Sequence, residues 1–265
     1  MIIELCGMPG AGKSSIAQAL VTELDSLGCA ASLPLEEVSP RRPRGRRLRR
    51  KLRRATVEVA GHPLASARTV RVLMRSQQPT RREAAIRSLN WLVLRAAMRR
   101  ANASVGFHVI DQGLVQELCS LGFCGDAESA IDIADPGVEL LAPDLILVVE
   151  VELELADQRL AARPGRESRV EGDGVDRRRE LARQGESVEE LLASWMQRFG
   201  DRVPTAVERI ANRRHPIDVA ELVASLRRVD PGERGFTEMS NLPDPRGALM
   251  RTATPARSSA GSPLS

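Results

Sequence analysis

The sequence predicts an α/β fold in which helices flank a parallel β-sheet, and three stretches of the chain carry this prediction. Residues 2–6 form an apolar run that passes through a glycine-rich loop into a helical pattern. Residues 105–110 form a second short strand, which is followed by a helical pattern over 114–121. Residues 145–149 are continuously apolar, as expected for a parallel strand that is covered on both faces, and another helical pattern follows them.

The loop after the first strand is the most specific motif in the chain. Its glycines let several backbone N–H groups point into one concavity, and the helix that follows presents its positive end to the same place. We expect Lys13 to reach the β- and γ-phosphates of ATP and the Ser14 hydroxyl to ligate Mg²⁺. The phosphate-binding pattern G-x-x-x-x-G-K-[ST] is matched by Gly7, Met8, Pro9, Gly10, Ala11, Gly12, Lys13 and Ser14, and Ser15 extends the predicted site.

An acidic residue, Asp111, ends the strand at 105–110. Because the carboxyl ends of parallel strands meet at one edge of a sheet, we expect Asp111 to lie opposite the phosphate loop. There it would hold the metal or its water, or accept a proton from an attacking hydroxyl. The alternative is that Asp111 only caps the helix over 114–121. His108, on the same strand, is predicted to be a packing residue.

Arginines cluster after the strand at 145–149. Arg159 and Arg163 are four residues apart on one helical face, and Pro164 with the glycine after it ends that helix. We predict that Arg163, Arg166 and Arg169, on a lid-like loop over 163–176, close over the transferred phosphoryl group and stabilise its charge. The alternative is that they are ordinary surface residues in an arginine-rich chain.

These motifs together resemble the thymidylate kinase and deoxynucleoside kinase branch of the P-loop kinases, over most of residues 1–175. The resemblance implies the three-layer P-loop NTPase fold, with a parallel five-stranded sheet of order 2-3-1-4-5 flanked by helices. It also implies that the arginines after Arg159 contact the donor phosphates and that Asp111 is the acidic member of an Asp–Arg pair. Position 112 is a glutamine, so the arginine of that pair is absent.

The region of the predicted acceptor site diverges from that branch. A second strand at about 29–35 leads to Glu36 and Glu37, where nucleoside kinases often carry a catalytic carboxylate. We therefore treat Glu36 and Glu37 as candidate acceptor residues. No familiar nucleotide-acceptor motif follows, and residues 36–79 are predicted to be a basic acceptor region or insertion.

The run from Arg41 to Arg54 is strongly basic, since ten of its fourteen residues are Arg or Lys. Removing these ten charges from the net charge of +4 leaves −6 on the rest of the chain. The run could be a solvated, partly disordered loop, or it could grip a polyanionic acceptor. A third interpretation is attachment to nucleic acid or to an anionic membrane. Nucleic acid is disfavoured because the run contains no aromatic residue for base stacking. Leu48 and Leu52 are four residues apart, so the run could also form a short basic helix.

The remaining chain is predicted to be mainly packing elements within a domain over 1–229, followed by a disordered tail over 230–265. Helices are expected over 81–102, over 187–199 with Ser187 as its cap, and over 218–229. The fifth strand is expected near Ile217. The residues predicted to face inward are Ile86, Leu89, Val93, Ala96, Trp195 and Met196.

Composition narrows the functional classes. Four scattered cysteines without metal or disulfide spacing predict a reduced, cytoplasmic protein, no signal peptide is expected, and no apolar stretch is long enough to span a bilayer. Our hypothesis is a kinase that transfers the γ-phosphoryl of ATP, with Mg²⁺, to the hydroxyl or phosphate of a small-molecule acceptor. The alternative is a nucleotide-dependent switch or ATPase that binds an anionic partner through Arg41 to Arg54.

Overall fold

The sheet confirms the predicted topology. A computed structural model describes residues 1–39, 43–75, 78–122, 131, 138–162, 175–203, 205–212 and 218–226. Its five strands are all parallel and lie in the order β2-β3-β1-β4-β5. They are β1 (Ile2–Cys6), β2 (Ala31–Ser32), β3 (Phe107–Ile110), β4 (Leu145–Glu150) and β5 (Ala206–Ala211).

Helices connect the strands, as the long crossovers of a parallel sheet require. In the described residues they are α1 (Lys13–Ser26), α2 (Arg44–Gly61), α3 (Pro63–Arg75), α4 (Arg81–Asn102), α5 (Leu114–Gly122), α6 (Val138–Leu141), α7 (Leu153–Ala161), α8 (Val175–Phe199) and α9 (Val219–Leu226), with a short 3₁₀ helix over Glu36–Val38. No helix in the described part of the chain is long and apolar enough to cross a membrane.

The two faces of the sheet bury separate hydrophobic cores. Ile3 and Leu5 of β1 face a core that includes Leu20 of α1 and Leu222 of α9. The neighbouring side chains of β1 point to the opposite face, where Ile2 packs in a core with Trp91 of α4 and Trp195 of α8. Both layers of helices are therefore needed to cover β1, which explains why its five residues are all buried.

Two predicted elements differ from the structure. The fifth strand is Ala206–Ala211 and not a segment near Ile217. It escaped prediction because β5 is an edge strand that is half exposed and contains two charged residues, so it lacks the apolar run of a central strand. Helix α8 begins at Val175, so Ser187 lies inside the helix and does not cap it.

Burial corrects the predicted faces of two helices. Val93 is buried as expected, but Ile86 is 47% exposed and Met196 is 41% exposed. Helix α4 contacts α2, α3 and the sheet, so its buried arc is broad and includes Ser88 and Arg95. Trp195 is buried, which confirms its predicted packing role.

From Arg44 onward the arginine-rich run is helical and forms most of α2, so the interpretation as a partly disordered loop is wrong there and the alternative of a basic helix is confirmed. The inner face of α2 packs on α4 through a buried ion pair, in which Arg95 Nε lies 3.2 Å from Glu58 Oε1. Arg99 of α4 also contacts this glutamate. The predicted tail over 230–265 lies outside the described residues.

Candidate active site

The glycine-rich loop joins β1 to α1 and turns through three glycines with positive φ. Gly12 precedes α1 with φ 90°, a left-handed conformation, and no side chain caps the helix. Lys13 folds back over the loop, where its Nζ donates hydrogen bonds to the carbonyl oxygens of Gly7 (2.7 Å) and Met8 (3.1 Å). The ammonium group of Lys13 therefore lies against the backbone of the loop between β1 and α1.

Asp111 lies at the mouth of this loop, as its position at the end of β3 predicts. The Ser14 Oγ donates a hydrogen bond to Asp111 Oδ2 at 2.6 Å, although the two residues are 97 positions apart. β3 pairs directly with β1, which brings their carboxyl ends together. The helix-capping alternative is wrong, because Glu4 and not Asp111 accepts the hydrogen bonds of the first amides of α5.

Glu4 is a site residue that the sequence did not reveal. Its carboxylate is fully buried on β1 and accepts hydrogen bonds from the amides of Leu114 (2.9 Å) and Gln116 (3.0 Å). Burial raises the pKa of Glu4 to about 7, and these amides only partly offset that effect. A Cβ at Gly113 would come within 2.5 Å of Glu4 Oε2, so glycine is needed where the chain turns from Asp111 into α5.

A second unpredicted residue, Asn212, holds the phosphate loop from outside. It follows β5 and its Nδ2 donates a 2.6 Å hydrogen bond to the buried carbonyl oxygen of Ala11. Arg159 of α7 reaches the same place, with Nη2 3.4 Å from Asn212 Oδ1 and Nη1 3.5 Å from Gly10 O. A Cβ at Gly12 would come 2.5 Å from Asn212 Nδ2, so this close contact also requires glycine.

A cavity of about 280 Å³ opens beside Ser14 and Asp111. One wall is apolar and comes from Leu33, Leu35 and Val109. The predicted acceptor residue Glu36 lines this cavity, whereas Glu37 turns away and pairs with Arg54 at 3.2 Å. The remaining lining residues are Ala17, Gln18 and Ser39.

Helices α4 and α5 contribute a group of largely buried polar side chains: Arg87, Trp91, Gln116 and Glu117. Arg87 Nη1 lies 3.6 Å from Glu117 Oε2. Three buried atoms have no hydrogen-bond partner within the protein: Arg87 Nε, Trp91 Nε1 and Gln116 Oε1. Buried polar atoms are normally paired, so this group has the capacity to bind water or a polar ligand. The sequence alone leaves Trp91 open as a core residue, which it favours, or a wall of the acceptor pocket, and Trp91 lies four residues from Arg87 on one helical face.

The lid arginines stay a prediction. Arg163, Arg166 and Arg169 lie outside the described residues. The elements on either side of them are joined, because Asp157 of α7 forms ion pairs with Arg177 and Arg178 of α8. These two guanidinium groups lower the pKa of Asp157.

His108 has the packing role that the sequence predicts. It is buried on β3 and its ring nitrogens contact Ser32 Oγ (2.8 Å) and Ser104 Oγ (3.0 Å). Burial lowers the pKa of His108. In the described residues no group of three or more His, Cys, Asp or Glu side chains is arranged to hold a metal ion.

The strand order and the loop between β1 and α1 define the class of this protein as the P-loop NTPase fold. No protein-family model matches the chain, and no curated protein matches it.

Solved structures of deoxyadenosine kinase from M. mycoides match the chain at 15% sequence identity, and each is covered over 100% of its own length. The structure with the products dCMP and a flexible dCDP has a TM-score of 0.46 and covers 87% of this chain. Those with bound dCTP and dATP each cover 86%, with TM-scores of 0.45 and 0.48. Such values are too low to carry a function from that enzyme to this chain.

Proposed function

We propose that this protein is an ATP- and Mg²⁺-dependent phosphotransferase that acts on a small-molecule acceptor of the nucleoside or nucleotide type. The observation that carries the proposal is the 2.6 Å contact between Ser14 Oγ and Asp111 Oδ2 at the mouth of the glycine-rich loop. This contact joins a hydroxyl and a carboxylate at the start of α1, the helix that begins at Lys13. Phosphoryl transfer depends mainly on such positioning and charge.

We assign a separate role in phosphoryl transfer to each group of the site. The amides of the loop hold the donor phosphates, and Lys13 neutralises charge on the β- and γ-phosphates. Asp111, which lines the adjoining cavity, is proposed to hold the metal or, as the alternative, to orient an acceptor hydroxyl and accept its proton. Arg163, Arg166 and Arg169 remain the predicted groups that close over the moving phosphoryl group.

The oxygen ligands of this site fit Mg²⁺. Ser14 and Asp111 provide a hydroxyl and a carboxylate, and Mg²⁺ is commonly bound by one or two such groups together with substrate phosphates. When bound, the ion would neutralise negative charge on the phosphates. Neither residue is buried, so both are accessible to a hydrated ion.

The acceptor is proposed to enter between the cavity and the polar group on α4 and α5. Leu33, Leu35 and Val109 provide an apolar wall for a flat ring. Arg87 Nε and Trp91 Nε1 are unused donors, and Gln116 Oε1 is an unused acceptor. A small heterocycle with both donors and acceptors, carrying a hydroxyl or phosphate, complements this combination, which is why we favour a nucleoside or nucleotide.

A panel of nucleosides, nucleotides, sugars and water alone, assayed for ADP release with ATP and Mg²⁺, tests the proposal. One acceptor should accelerate ADP release well above the rate with water. Lys13→Ala should lower kcat/KM by about 100-fold or more, as expected for loss of a group that stabilises transition-state charge. Arg183→Ala, at an exposed position on α8, is the control and should keep the full rate. Unchanged turnover in Lys13→Ala would overturn the proposal.

A second candidate is a nucleotide-dependent switch or ATPase that binds an anionic partner through Arg41 to Arg54. It is favoured by the exposed arginines of α2. In the same panel it would release ADP slowly and at one rate with every acceptor and with water.

A further inference from the structure

The outer side of α2 and the helix that follows it form an unusually basic surface. Residues 43–75 contain eleven Arg and Lys residues, and Glu58 is the only acidic residue among them. Glu58 is buried against Arg95, so no exposed carboxylate from this segment offsets the charge. Four arginines at i, i+3, i+4 and i+7 share the exposed side of α2: Arg46, Arg49, Arg50 and Arg53, which we call the basic face.

A row of aliphatic side chains runs beside the basic face. Leu48 and Leu52 are one helical turn apart and are 50% and 51% exposed. Val59 lies on the same side of the helix, seven residues beyond Leu52, and is 42% exposed. Exposed single aliphatic residues are ordinary, but an ordered row next to four arginines gives the helix two different contact chemistries along one edge.

Contacts on the inner side of α2 hold this surface in place. Glu58 ties the last turn of α2 to Arg95 of α4. Arg54 points inward, where it donates a 2.8 Å hydrogen bond to Pro34 O and pairs with Glu37. Because its inner side is fixed, α2 presents its arginines and leucines without needing to fold on contact with a partner.

We propose that α2 docks on the surface of an anionic lipid bilayer. Lipid phosphates at the headgroup level would pair with the basic face, and Leu48, Leu52 and Val59 would enter the adjoining acyl region. Nucleic acid offers the phosphates but gives an aliphatic row little to contact, and residues 43–75 contain no Phe, Tyr or Trp for base stacking. The combination of charge and exposed aliphatic residues therefore favours lipid.

Docking would also bring the acceptor side of the molecule to the membrane. Arg54 of α2 holds the segment that runs from Pro34 to Glu37. Glu36, within this segment, lines the cavity beside Asp111. The surface and the cavity are thus connected through the contacts of Arg54, although membrane docking does not depend on the proposed phosphotransfer.

Flotation of the full chain with vesicles of phosphatidylcholine, with and without phosphatidylglycerol, tests the proposal. Binding should require the anionic lipid and weaken as salt is raised. Arg49→Gln/Arg53→Gln should lower the partition coefficient about 30-fold, because each basic residue near the surface contributes about 1 kcal/mol. The matched control, Arg179→Gln/Arg183→Gln, removes two exposed arginines at the same spacing on α8 and should change it by less than about twofold.

A second pair of variants separates lipid from the other occupants. Leu48→Ser/Leu52→Ser keeps every charge of the basic face and should still weaken vesicle binding, by about tenfold or more for two leucines. Its thermal melting, measured in parallel, should stay cooperative because both side chains are half exposed. The proposal would be overturned if the protein did not float with anionic vesicles, or if the α8 control lost as much vesicle binding as the Arg49/Arg53 variant. It would also be overturned if the protein bound duplex DNA or RNA more tightly than vesicles, in a charge-dependent way that the leucine variant left unchanged. A dimer in light scattering that the Arg49/Arg53 variant abolishes, without vesicle binding, would assign the surface to a second copy.

Discussion

The buried side chain of Glu4 connects β1 to the start of α5, the helix that follows Asp111. Its carboxylate accepts hydrogen bonds from two amides at the start of α5, and α5 follows directly after the turn that contains Asp111 and Gly113. Burial of the charge outweighs these hydrogen bonds, so the pKa of Glu4 rises from 4.5 to about 7. Glu117 raises it further, because a second negative charge on α5 disfavours the carboxylate.

This shift predicts a pH dependence of stability. The folded state holds the proton of Glu4 up to about pH 7 and the unfolded state only up to about pH 4.5, so the free energy of unfolding should fall as pH rises between these values. The difference corresponds to roughly 3 kcal/mol. Urea denaturation from pH 4.5 to 8, compared between the wild type and Glu4→Gln, isolates this effect because every other titrating group is common to both. The variant should lose the decrease, and an identical pH profile in both proteins would contradict the assignment.

Residues of the site differ in how much their sequence neighbourhood reveals. Lys13 and Ser14 belong to a continuous motif, and Asp111 ends a recognisable strand, so topology alone brings them together. Glu4 and Asn212 have no such signal, since their partners are 110 and 201 positions away. A glutamate on a buried strand or an asparagine after an edge strand gains its meaning only from the packed fold.

At the scale of elements, the attachment of α2 to α4 depends on a buried ion pair. Glu58 and Arg95 have side chains that are 3% and 2% exposed, with an N–O distance of 3.2 Å. A buried pair costs desolvation energy to form, but leaving one partner alone costs more. The shorter pair between Arg209 and Glu189, at 2.6 Å, is about half exposed and should therefore matter less.

Glu58→Ala should lower the free energy of unfolding by about 3–5 kcal/mol, because Arg95 would keep a buried charge without its closest carboxylate. The double variant Glu58→Leu/Arg95→Met should recover most of this loss, since it removes both charges and keeps the volume. Arg209→Ala is the exposed control and should cost less than about 1 kcal/mol. Urea denaturation gives all three values. If the double variant were as unstable as Glu58→Ala, the loss would come from packing and not from the charge.

The sequence predicts the boundaries of some helices and strands better than their buried faces. The prediction of a helix over 81–102 matches Arg81–Asn102, because a long periodic segment has few alternatives. Its buried face was harder to predict, since contacts with α2 and α3 bury polar residues such as Ser88 that a single amphipathic stripe would leave outside. The edge strand β5 was missed because half-exposed strands carry charged residues.

On the scale of the whole molecule, hydrogen bonds between distant segments join the strands at both ends of the sheet, and one of them reaches the phosphate loop. The amide of Ile2 donates to Asp144 Oδ2 at 2.6 Å, before β4 begins. At the opposite end of the sheet, the amide of Asn212 donates to Glu150 O at 2.7 Å, and its side chain donates to Ala11 O. The end of β5 is thereby fixed to the glycine-rich loop that follows β1. The geometry of the loop therefore depends on complete assembly of the sheet.

Removal of this connection should loosen nucleotide binding more than it loosens the fold. Asn212→Ala leaves the buried carbonyl of Ala11 without its donor, so we expect ATP affinity to fall about tenfold, which corresponds to the ~1.5 kcal/mol of one hydrogen bond. Asn212→Asp should bind ATP at least as weakly as Asn212→Ala does. Its carboxylate would repel the carbonyl oxygen of Ala11, even though it could still pair with Arg159. Thr205→Val is the matched control, since Thr205 Oγ1 donates a 2.9 Å hydrogen bond to Pro143 O at the other end of β5. Titration calorimetry and thermal melting separate affinity from stability. Equal losses of ATP affinity in Thr205→Val and Asn212→Ala would mean that β5 supports the fold alone, whereas a loss confined to position 212 would show that the last strand shapes the phosphate loop.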